Sequence, residues 1–243
     1  MYILFFISVM YSVHVFFVFY TDYFPPLTFA LAYRSSGREQ NLPMSMWRKV
    51  FFFPSLAYNL AAEKVTSRRW YDRLDEHVIL GALPFRSVLA ELKKKENLKG
   101  VISFNEDYEL NQLWYPTLQE YADVGVEFLQ LPVLDYVGVP NRQQVQKALE
   151  FIDKIAAENG TVYVHCKAGR FRSAYFAAAY VIKSQGLDAI SAVEFVHGKR
   201  SQVWLGPKEK QSLQLFHNEL YPDRPEKVEE KPVAPDVPEN PIF

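Results

Sequence analysis

The chain holds a single cysteine among 243 residues, and that scarcity excludes a good deal. One thiol cannot build an internal disulfide framework, and after oxidation it has no second cysteine to trap it. The five histidines, at positions 14, 77, 165, 197 and 217, are too scattered to complete a ligand set with it, so no metal or other cofactor is expected. Excess charge is lacking as well. Lys and Arg total 27 against 28 Asp and Glu, a formal net charge of −1, which offers nucleic acid no overall basic surface. No internal repeat is visible. What is present is 49% apolar and 16% aromatic content, enough to bury one sizeable core.

Hydrophobic patterning predicts strands at His77–Leu80, Gly100–Phe104, Val126–Leu131 and Thr161–His165. It predicts helices near Ser87–Glu96, Gln112–Val124, Asn141–Ala157, Ser173–Ser184, Asp188–His197 and Lys208–Leu220. Alternation at this pace points to an α/β fold: a short central, mostly parallel sheet flanked by helices in one domain, residues 70–220. The helix after Asn141 carries Val145, Ala148, Leu149, Ile152 and Ile155 on one stripe, which marks its core face.

The lone cysteine stands in His165-Cys166-Lys167-Ala168-Gly169-Arg170-Phe171-Arg172-Ser173, between a predicted strand and an Ala-rich predicted helix. Free N–H groups and the positive helix end at such a junction favour an anion. They also favour the thiolate, the form in which cysteine is a nucleophile. Gly169 lets the backbone fold around an oxyanion. Arg172 presents a planar fork able to hold two phosphate oxygens. Ser173 is either a simple helix-start hydroxyl or a group that helps the thiolate leave in a second step. His165 reads as a residue that orders the loop by hydrogen bonding to the Cys166 backbone. Together these residues imply phosphate-ester chemistry through a covalent cysteine intermediate. Such a route needs an acid for the leaving alkoxide. Asp135 is the candidate, in an irregular segment marked by Gly138 and Pro140.

The Cys166 loop resembles that of the cysteine-based protein tyrosine and dual-specificity phosphatases. More narrowly, the chain is similar to the mitochondrial branch of that superfamily that acts on phosphatidylglycerophosphate. The narrower likeness rests on Trp70-Tyr71-Asp72-Arg73-Leu74-Asp75, Leu80-Gly81-Ala82-Leu83-Pro84-Phe85-Arg86-Ser87, Gly100-Val101-Ile102 and Asn105-Glu106-Asp107-Tyr108-Glu109, and spans roughly 46–220. The resemblance implies Cys166 as nucleophile, Arg172 as phosphate clamp and Asp135 as general acid. It implies a pocket rim at 106–109, with Tyr108 among the substrate-binding residues together with His165, Lys167, Ala168, Gly169, Arg170 and Phe171. It also implies location at the mitochondrial inner membrane, on the matrix side. Three positions depart from the pattern. Phe171 replaces a small polar residue, Tyr175 replaces a small hydroxyl residue, and Gly206 precedes Pro207 where an arginine is usual. These departures bear on substrate preference rather than on the reaction.

Two flanking stretches suggest a membrane. Met1–Tyr20 has no charged residue other than His14 and is long enough to span a bilayer core, so residues 1–45 form a candidate anchor or extension. Residues 46–69 begin with a basic, aromatic run, Trp47-Arg48-Lys49-Val50-Phe51-Phe52-Phe53, suited to targeting or to a membrane surface. The tail from 221 holds six prolines among acids and lysines and is expected to lack structure. Lys167 and Arg170 beside Arg172 suit a phosphomonoester carrying further negative charge, an anionic phospholipid being the expected partner. Solvated loop cations are the plainer alternative.

Overall fold

The computed structural model describes residues 42–66 and 68–223. The apolar run Met1–Tyr20 and most of the Pro-rich tail lie outside them. A helix, α1 (Leu42–Val65), precedes the antiparallel edge strand β1 (Tyr71–Arg73) and β2 (Val78–Gly81). Next come α2 (Arg86–Lys95), β3 (Leu98–Ser103), a single turn α3 (Asp107–Leu110), α4 (Leu118–Asp123) and β4 (Glu127–Gln130). The chain then runs through α5 (Arg142–Ala157), β5 (Thr161–His165), α6 (Arg172–Gln185), α7 (Ala189–Lys199) and α8 (Pro207–Leu220).

The five strands lie in the order β1-β2-β5-β3-β4, with only the β1–β2 pairing antiparallel. The α/β expectation of a mostly parallel sheet therefore holds. The latest strand in sequence, β5, is the middle one, buried at every position. In open α/β sheets ligands bind beyond the carboxyl ends of the strands, and Cys166 follows the last residue of β5. The five-residue apolar stripe expected on the helix after Asn141 is fully buried on α5, capped by the Asn141 side chain, which accepts from the Gln144 N–H. Helix α6 runs through the core. Ala174, Ala177, Ala178 and Ala179 are all buried, so small side chains let neighbouring elements approach its backbone.

One reading needs correction. The helix expected over 112–124 is only α4, because Pro116 disfavours helical backbone at Tyr115. The chain starts the helix afresh at Thr117, whose hydroxyl accepts from the Glu120 N–H while Glu120 reaches back to the Thr117 N–H. The basic, aromatic run after 46 belongs to α1, whose inner face buries Phe52 and Leu56 with Trp70, Leu83 and Tyr115. That face is core; Phe53 on the other side stays exposed. Among the described residues no helix is long and apolar enough to cross a membrane.

Candidate active site

Backbone pairing hangs the cysteine loop between β2 and β3. The His165 carbonyl accepts from Phe104 N–H at 3.0 Å and the Lys167 carbonyl from Leu83 N–H at 3.2 Å. Gly169 has φ +64°, and a Cβ there would stand 2.4 Å from the Gly81 carbonyl oxygen, so both torsion and space demand glycine. On the outer side of the loop the buried Arg200 guanidinium donates to the carbonyls of Gly169 (2.9 Å) and Ala168 (3.1 Å), and pairs with Asp72 of β1 at 2.7 Å. Holding those carbonyls outward fixes the loop's curvature, and sequence reasoning did not single out Arg200 or Asp72.

Inside the cup Cys166 is buried, with the Ser173 hydroxyl 3.2 Å from its Sγ. Burial pushes the thiol up. The Arg172 charge and the hydrogen bonds from the Ser173 hydroxyl and backbone outweigh it and leave the group below its ordinary value. Both terminal nitrogens of Arg172 are engaged. Its two terminal nitrogens meet the Glu109 carboxylate at 2.7 and 3.0 Å and the carbonyls of Phe104 and Val133, and one reaches Asp135 Oδ1 at 2.9 Å. Glu109 is itself fully buried and accepts from the Asn105 amide and the Glu106 N–H. The acidic run expected at the rim thus supplies, through Glu109, the floor that aims the guanidinium. The alternating acids around Tyr108 were the visible signal; which acid turned inward was not.

Asp135 closes the cup between two cations, paired with Arg172 and with the buried Lys167 ammonium. Burial pushes its carboxyl up, but Arg172, Lys167 and the Tyr136 N–H overcome that and hold it below the usual carboxylate range. Lys167 also donates to the Tyr136 hydroxyl at 2.9 Å and lies 4.2 Å from that ring's centre. Tyr136 has φ +68°, a left-handed conformation costing a side-chain-bearing residue of order 1 kcal/mol, and Lys167 helps hold it there. The Tyr108 hydroxyl is buried at this rim without a partner among the described residues, its ring packed edge-on against Phe52.

The other expected residues fall as follows. His165 is fully buried with the Cys166 backbone at its ring and Tyr115 Oη 3.4 Å from its Nε2, and burial holds the imidazole down to about 3. It is a neutral ordering group. Between roughly pH 6.5 and 3 the unfolded chain therefore binds a proton here that the folded chain does not, so acidification costs stability at about 1.4 kcal/mol per pH unit. Urea unfolding at pH 7 and pH 5 is expected to show that loss in the parent and a shallower one in His165→Asn; equal slopes would contradict it. Phe171 packs on Trp204, ring centres 5.9 Å apart, at the loop's outer edge. Tyr175 points to α8, its hydroxyl 2.7 Å from Ser212 Oγ, so its bulk stays out of the cup. Arg170 corrects the idea of three cations around one phosphate. Its Nε donates to the Gln202 carbonyl at 3.0 Å, it lines a pocket beside the loop with Arg68 and Arg200, and the charges that act on it include Cys166 but not Lys167 or Arg172.

With this geometry in hand, residues 80–219 match the family model for the dual-specificity phosphatase catalytic domain. The chain belongs to the dual-specificity phosphatase family, and it is a phosphatase. It is 40% identical over 175 residues to human phosphatidylglycerophosphatase and protein-tyrosine phosphatase 1, covering 71% of this chain and 87% of that relative. It is 37% identical over 169 residues to Arabidopsis thaliana phosphatidylglycerophosphate phosphatase PTPMT2, covering 69% and 72% respectively. The crystal structure of PTPMT1 in complex with PI(5)P superposes with a TM-score of 0.59 at 38% identity, over 63% of this chain and 97% of that one.

Proposed function

We propose that this phosphatase removes the terminal phosphate of phosphatidylglycerophosphate, giving phosphatidylglycerol and inorganic phosphate at the matrix side of the mitochondrial inner membrane. The observation that carries this reading is that two buried cations, Arg172 and Lys167, flank Asp135 inside one cup. A phosphomonoester that carries further negative charge suits that pair, and the curated relatives are named for this lipid. The resemblance to the mitochondrial branch and the apolar run Met1–Tyr20 support that location.

In the reaction the Cys166 thiolate attacks phosphorus, and the bond from phosphorus to the lipid oxygen breaks. Arg172 and the loop N–H groups hold the equatorial oxygens, which is expected to be the largest single contribution to rate. Asp135 gives its proton to the departing alkoxide. It rests ionised, and its pairing with Arg172 and Lys167 explains how it becomes an acid. A phosphate dianion entering the cup takes over those cations and adds negative charge beside the carboxyl, and both changes raise its proton affinity. Water then attacks the phospho-cysteine, Asp135 accepts its proton, and the sulfur departs as thiolate with the Ser173 hydroxyl donating to it.

Phosphate release from phosphatidylglycerophosphate in mixed micelles is expected to exceed that from a phosphotyrosine peptide by at least about tenfold in kcat/KM, the effect of roughly one further charge-assisted contact. A peptide preferred over the lipid would overturn the proposal. A phosphoinositide monoester is the second reading, favoured by the PI(5)P bound to the similar solved structure. The same assay with phosphatidylinositol 5-phosphate decides between the two lipids.

A further inference from the structure

Beside the cysteine loop lies a solvent-open pocket that none of Cys166, Asp135, Arg172 or Ser173 lines. Its wall carries four arginines, Arg68, Arg69, Arg170 and Arg200, against one carboxylate, Glu63. Asp72, behind the wall, pairs with Arg69 and Arg200. Arg200 is further committed to the loop carbonyls. Two guanidiniums remain, Arg68 and Arg170, and among the described residues neither has a carboxylate within ion-pair distance. Like charges gathered in a half-buried wall repel one another unless an anion joins them. The state of Arg170 agrees: burial first, then Arg68 and Arg200, pull its proton affinity below the ordinary value. A buried cation disfavoured by its neighbours is stabilised by a ligand of opposite charge.

We infer that this pocket is a second anion site that takes a phosphate group between Arg68 and Arg170, separate from the catalytic cup. Guanidinium forks favour tetrahedral oxyanions with two oxygens free, which a phosphodiester and inorganic phosphate both offer. The site's placement favours a ligand that also reaches the cup. Helix α1 borders both: Phe52 lies against Lys167 of the cup, and Asn59 lines the pocket seven residues later, about 10 Å of helix. The loop residue Arg170 borders the pocket as well. The inference goes beyond the proposed substrate and does not require it.

The test uses the full chain with the cup filled by orthovanadate, so that added phosphorus compounds compete only for the second site. Glycerophosphoglycerol, a phosphodiester without a terminal monoester, and inorganic phosphate are titrated separately and followed by phosphorus-31 line broadening. Broadening by the diester that is lost in Arg68→Gln supports a headgroup site. Broadening by inorganic phosphate alone, equally lost in Arg68→Gln, supports the anion site and assigns it to free phosphate. No broadening with either probe, or broadening indifferent to Arg68→Gln, overturns the inference. Thermal melting checks that the variant is folded. In steady-state assays Arg68→Gln is expected to raise KM for phosphatidylglycerophosphate about tenfold with kcat unchanged, while both constants for para-nitrophenyl phosphate stay put. Should the chain ignore that lipid, the line-broadening result stands independently.

Discussion

Cys166→Ser is expected to lower phosphate release by at least about 10⁴-fold, the scale on which loss of a covalent nucleophile acts. Serine nearly matches cysteine in volume, so the buried position is kept and the fold should survive. What disappears is the anion. The Arg172 charge and the Ser173 hydrogen bonds bring a thiol below its ordinary value despite burial, whereas a hydroxyl starts far too high for the same surroundings to ionise it. A second signature follows in the parent enzyme. The rising limb of its kcat/KM against pH, which reports ionisation of the thiol, should lie below the pH at which a free cysteine would titrate. Phosphate release from a lipid monoester, with melting curves recorded alongside, checks both. Serine turning over at a rate near the parent's would remove the covalent route.

The second large effect concerns Arg172 as part of the fold. Its partners Glu109 and Asp135 are both buried, and removing the guanidinium leaves the Glu109 carboxylate without a cation and Asp135 with Lys167 alone. Arg172→Met is expected to destabilise the domain by about 3–5 kcal/mol, the usual result of taking one partner from a buried ion pair. Adding Glu109→Gln should recover part of that loss while leaving phosphatase activity absent. Urea denaturation of the single and double variants checks this; a double variant no more stable than the single one would show that Glu109 does not carry the penalty. Recovery of stability without activity would separate the two roles of the arginine.

The catalytic loop was legible because its chemistry is local. Cysteine, glycine and arginine fall within seven residues, and a strand-to-helix junction fixes their backbone. The parallel sheet was legible for a similar reason, since β2, β3, β4 and β5 each carry a compact apolar run. The supports were hidden because they are long-range pairings of ordinary residue types. Glu109 meets Arg172 across 63 positions and Asp72 meets Arg200 across 128, and nothing in the spacing of an aspartate and an arginine that far apart announces a contact. Strand β1 was missed because three residues give no periodicity to read. The stretch 112–117 is not helical because Pro116 interrupts an apolar pattern that otherwise runs on into α4. Arg170 looked like a cup cation because adjacency in sequence was taken for adjacency in space, yet a tightly curved loop sends neighbouring side chains to opposite faces.

The Asp72–Arg200 pair sets where the working unit of this enzyme begins. The stretch that matches the family model starts at residue 80, eight positions after the carboxylate that anchors the arginine on the loop's back. A fragment cut at that border would keep the nucleophile, the guanidinium fork and the acid, yet lose the guy-rope that stretches their cradle into shape. The edge strand, with no chemistry of its own, is therefore a part of the tool.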